Sequence, residues 1–155
     1  SVAGRLAGAK NRDPAEAEYV KKFMKEDPGS LHYGLDIISR TLAGYAREAV
    51  LIGAEGIFLT TTAYSKDVFT EEEYEEFGKP YDLAIYNAAN EAGATLNILH
   101  MCRENIMLDL MLDYPVQILN YESTSSRNPS LWYAVGDHLL RIESGGGTDV
   151  CVCCH

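Results

Sequence analysis

Apolar positions along this chain switch between the helical period and short continuous runs. Asp13-Pro14 opens a helical stretch, since Asp caps well and Pro suits the first helical position, and Asp27-Pro28-Gly29 closes it after about Glu26. A long second helix follows. Leu31, Leu35, Ile38, Leu42, Tyr45, Ala49 and Ile52 are spaced by fours and threes, the pattern of one buried stripe. Gly53 is placed to cap its end. Gly56-Ile57-Phe58-Leu59-Thr60-Thr61 then reads as a short strand. Thr70 and Glu73 form a capping-box pattern at the head of a helix that Lys79-Pro80 interrupts and that resumes to Ala92. The run from Thr95 to His100 predicts a second strand, 104–114 a third helical stretch with Ile106, Met107, Leu110 and Met111 on its apolar side, and 116–120 a third strand. Pro129 opens a last helix to about Leu140.

The resulting order, ααβαβαβα, implies parallel βαβ units, in which helices cover both faces of apolar strands. The carboxyl ends of the strands turn polar together. Thr60-Thr61-Thr62 ends the first, His100 and Cys102 the second, and Asn120-Tyr121-Glu122 the third. Parallel α/β proteins bind ligands at that edge. Three strands cannot close a barrel, which takes eight. The sheet is therefore either small and open or part of a larger barrel, and the abrupt termini favour the larger barrel.

Composition narrows the function. With 155 residues, 46% apolar and 23% charged, the chain is an ordinary globular domain. A net charge of −10 argues against a nucleic-acid surface. No apolar run approaches the roughly 18 residues of a membrane span, and no secretory signal opens the chain. The expectation is a soluble cytoplasmic protein. Cys151, Cys153 and Cys154 crowd the end behind a glycine run, while Cys102 stands alone in the body, which suits a reducing compartment.

His100-Met101-Cys102 is the sharpest chemical signal. On a strand, residues two apart share a face, so the imidazole and the thiol would point the same way, and both suit zinc. The plainer alternative is a hydrogen-bonded buried histidine beside a small apolar cysteine. Thr61, Tyr121 and Glu122, at the neighbouring strand ends, are candidate substrate contacts.

An ordered set of segments resembles the uroporphyrinogen decarboxylase superfamily. Gly53-Ala54-Glu55-Gly56-Ile57-Phe58-Leu59 is similar to its helix-to-strand junction. The segment from Phe69 through Glu73, Phe77 and Pro80 to Tyr81 is similar to its next helix. Asn97-Ile98-Leu99-His100 and the run from Tyr114-Pro115 to Asn120-Tyr121 match the following two strands. The resemblance implies a partial (β/α)8 TIM barrel with about three parallel strands over 1–141. Residues 142–155 would be a tail foreign to the family, disordered or artefactual.

Two chemistries follow from the resemblance. Corrinoid-dependent methyltransferases of the superfamily pass a methyl group from a methylated corrinoid protein to a thiol, using zinc held by His-x-Cys and a distant Cys. His100 and Cys102 match the first two of these, and the third would fall beyond this chain. Arg103 stands where many relatives have Gly. The alternative is cofactor-free decarboxylation of a uroporphyrinogen-type tetrapyrrole. Asn120-Tyr121 stands where decarboxylases tend to have Asp-Trp, a departure from that pattern. A third expectation is an inactive fragment that associates into a homo-oligomer through its sheet edges.

Overall fold

A computed structural model of the protein describes residues 16–130 and 142–144. Helix α1 (Glu16–Glu26) and helix α2 (Pro28–Leu51) meet at Asp27, whose carboxylate accepts from Ser30 N at 3.1 Å. Gly53 takes a φ of 114° just past α2, a backbone conformation open to glycine at little cost. Three residues on, a Cβ on Gly56 would stand 2.0 Å from the Leu96 carbonyl oxygen. The glycines of this junction let α2 turn tightly into strand β1 (Phe58–Thr61).

Helix α3 (Glu71–Phe77) starts at the expected capping box. Thr70 Oγ1 accepts from Glu73 N, and the Glu73 carboxylate accepts from Thr70 N. The chain breaks at Gly78 and continues as α4 (Lys79–Glu91). Strand β2 (Ile98–Met101), the short helix α5 (Leu108–Met111) and strand β3 (Ile118–Tyr121) follow. A fourth strand, β4 (Ile142–Ser144), pairs with β3. The sheet order is β1-β2-β3-β4 and every pairing is parallel. The fold is α/β, a partial (β/α)8 barrel.

The two faces of the sheet differ. Leu99 and Met101 of β2 and Leu119 and Tyr121 of β3 pack among Tyr64, Tyr74, Tyr86, Met107, Met111 and Tyr114 on the helical side. By alternation, Phe58, Thr60, Ile98, His100, Ile118 and Asn120 face the other way. Ala46 and Val50 of α2 meet Ile85 and Ala89 of α4 in a second cluster.

Four expectations change. The α2 stripe is rotated: Leu31, Ser39, Ala46 and Val50 are buried, while Tyr45 is 74% and Ile52 86% exposed. Small side chains let α2 approach α4, and Ser39 Oγ donates to the Tyr81 carbonyl at 2.8 Å. The helix expected over 104–114 shrinks to four residues, because Arg103 and Asn105 adopt φ of 78° and 56°. Strand β2 starts at Ile98, because Thr95 N and Leu96 N both donate to the Glu55 carbonyl. Strand β4 arises within the stretch expected to be a tail. The helix expected after Pro129 lies largely outside the described residues, as do the tail cysteines.

Candidate metal centre

Strand register brings the expected pair together. Thr60, His100 and Asn120 are aligned on β1, β2 and β3. His100 is 8% exposed, and its ring stacks on Phe58 with centroids 5.5 Å apart. Its Nδ1 makes a short hydrogen bond with Asn120 Oδ1. An amide oxygen only accepts, so Nδ1 is the donor in this contact. Cys102, one residue past β2, is buried, with Thr60 Oγ1 3.2 Å from its Sγ.

The loop carrying Cys102 is bound to its neighbours. Ser65 and Ile106 form an antiparallel bridge, flanked by Met107 N to the Tyr64 carbonyl and Lys66 N to the Asn105 carbonyl, each 2.8 Å. Ser65 Oγ donates to the Glu104 carbonyl at 2.7 Å. Arg127 reaches both Asp67 oxygens, at 2.8 and 2.7 Å, and Glu104 at 3.2 Å. The Asn105 amide, followed by the Arg127 pairing, holds the Asp67 carboxyl below the usual carboxylate range. Arg103 takes a φ of 78°, in the left-handed region that favours glycine.

A cavity of about 580 Å³ opens beside Cys102 and Thr60, running between β1 and the helices past Phe69, Tyr74 and Asp82. Asp82 Oδ2 accepts from Tyr74 Oη at 2.6 Å and Tyr64 Oη at 3.0 Å, and Tyr74 Oη also bonds Tyr114 Oη at 2.7 Å. Burial pushes the Asp82 carboxyl up to about 6 against the two tyrosine hydrogen bonds.

The candidate substrate contacts scatter. Thr61 pairs with Met101 through the backbone, but its side chain lies outside the described part. Tyr121 is turned away from His100 into the helical core, 2% exposed, and its Oη has no hydrogen-bond partner among the described residues. Burial raises its phenol pKa. Glu122 is exposed and closes a local turn, accepting from Thr124 N at 2.8 Å and from Thr124 Oγ1. Those bonds hold its carboxyl below the usual range. Thr60 and Asn120 are the partners of Cys102 and His100, a role not expected of either from the sequence. Period-2 alternation counted from His100 across three strands points to both.

Among the described residues, no three His, Cys, Asp or Glu side chains gather as a metal site. Imidazole nitrogen and thiolate sulfur are both chemically suited to zinc. No described helix is long and apolar enough to cross a membrane.

Comparison with protein families matches residues 4–139 to the family model described as Uroporphyrinogen decarboxylase (URO-D). No curated protein and no solved structure gives a significant match. The chain belongs to the uroporphyrinogen decarboxylase family.

Proposed function

We propose that this protein acts in methyl transfer from a methylated corrinoid protein to a small thiol, with His100 and Cys102 as two protein ligands of a zinc ion. The observation that supports this reading is the position of His100 and Cys102 two residues apart at the carboxyl end of β2, each with its own polar partner. Catalytic zinc sites use about three protein ligands and keep one position open. The third ligand would come from outside the described residues. When bound, zinc supplies deprotonation of a thiol at neutral pH.

The chain's own groups orient the pair. Asn120 accepts from His100 Nδ1 and orients the ring, the usual service of a ligand's hydrogen-bond partner. The Thr60 hydroxyl lies against Cys102 Sγ. Under this reading His100 and Cys102 hold the ion and do not themselves attack. Thr61 remains a proposed substrate contact by its place at the end of β1.

The test is incubation with methylcobalamin and a panel of small thiols, with zinc or with a chelator. Formation of the methyl thioether that needs zinc and disappears in Cys102→Ala supports the assignment. Metal-independent release of carbon dioxide from a uroporphyrinogen-type substrate, with no thiol methylation, would transfer it to cofactor-free decarboxylation.

A further inference from the structure

Asn128 stands outside every motif discussed so far, yet its side chain is buried where the loop after Cys102 meets the end of β3. Its Nδ2 donates to the Glu122 carbonyl at 2.8 Å and the Arg103 carbonyl at 3.2 Å. Its Oδ1 accepts from Ile106 N at 3.3 Å. One side-chain amide thus ties both donors and its acceptor to main chain, bridging two separate strand ends.

The loop it grips needs such a tie. Arg103 and Asn105 both hold positive φ, at 78° and 56°, where a Cβ crowds the carbonyl oxygen. Strained residues persist only where surrounding contacts over-determine them. Next to Asn128, Arg127 fixes the same stretch of chain to Asp67 and Glu104.

We propose that Asn128 is the positioning residue of the Cys102 loop. It holds the strained turn closed, and so keeps the Cys102 thiol against Thr60 and on the His100 side of the sheet. The inference rests on the reading of His100 and Cys102 as the functional pair, but its readout is the thiol alone and needs no metal.

The experiment is alkylation of the intact protein with iodoacetamide, resolved by peptide mass spectrometry so that Cys102 is read apart from the tail cysteines. Asn128→Ala should label Cys102 at least about tenfold faster than wild type, since two partly buried carbonyls and a buried amide lose their partner. The faster rate should be insensitive to low denaturant, because the opening is local. Arg103→Gly added to Asn128→Ala should restore slow labelling by removing strain at that position. Asn128→Gln, one methylene too long for the same bonds, gives the comparison if the alanine variant does not fold. An unchanged rate would overturn the proposal. So would a faster rate that follows global unfolding and ignores Arg103→Gly, the mark of a general stability residue. Absence of zinc binding would sink the metal reading and leave the labelling result standing.

Discussion

His100 and Asn120 face each other at paired positions of β2 and β3, imidazole Nδ1 on amide Oδ1. The amide oxygen makes Nδ1 the donor in this contact and orients the ring. Asn120→Ala removes that control and frees the ring to rotate. Loss of such a partner typically weakens metal affinity about 10–100-fold. A competition titration of zinc against a chelator should show a drop in that range, with little change in far-UV circular dichroism. Unchanged affinity would disconnect Asn120 from the metal.

Asp82 makes the protein sensitive to pH. Its carboxyl rises from 3.8 to about 6 because burial disfavours the charge more than Tyr74 and Tyr64 favour it. A raised carboxyl pKa means that the folded state prefers the protonated form. This group's contribution is therefore most favourable below about pH 4 and declines as pH rises to about 6, by roughly 2–3 kcal/mol. Asp82→Asn keeps an oxygen for both tyrosine hydroxyls and removes the charge. Urea unfolding should find the variant more stable than wild type at pH 7, with the gain shrinking toward pH 4.5. A constant difference across that window would refute the assignment.

Tyr121 buries a hydroxyl that has no hydrogen-bond partner among the described residues. An unsatisfied buried polar group costs about 1–3 kcal/mol. Tyr121→Phe should therefore raise stability by about 1 kcal/mol in chemical denaturation and leave zinc binding unchanged. A loss of stability would show that the hydroxyl has a role the core does not reveal.

Gly56 leaves no space for a side chain, with the Leu96 carbonyl oxygen 2.0 Å from an ideal Cβ. Gly56→Ala must push β1 away from the turn before β2. Overpacking of this kind costs about 1–3 kcal/mol, read as a fall in the urea midpoint. A neutral outcome would mean that the junction yields easily.

Much of the layout was legible because it is local. The capping box at Thr70, the break near Lys79-Pro80 and three parallel strands follow from short-range chemistry and period-2 runs. The placing of His100 and Cys102 at the end of the second strand was legible for the same reason. What the sequence hid is tertiary. Ser39 and Ala46 line the buried side of α2, where a count of large apolar residues does not look. The helix expected after Glu104 gives way to bonds between the Cys102 loop and the Tyr64–Lys66 segment. Tyr121 was grouped with Glu122 by its place at a strand end, but it lies on the opposite face from His100, a consequence of alternation. Asn128 carries no motif at all, since its importance lies in which carbonyls it reaches.

The most direct test of the metal assignment is zinc X-ray absorption on protein carrying Cys151→Ser, Cys153→Ser and Cys154→Ser, so that the tail cannot contribute sulfur. The account predicts bound zinc with a sulfur shell near ~2.3 Å and a nitrogen shell near ~2.0–2.1 Å. The sulfur contribution should fall in Cys102→Ala and the imidazole contribution in His100→Ala. A protein that takes up no zinc, or whose spectrum is indifferent to both substitutions, would contradict the account and return His100 and Cys102 to the role of packed side chains.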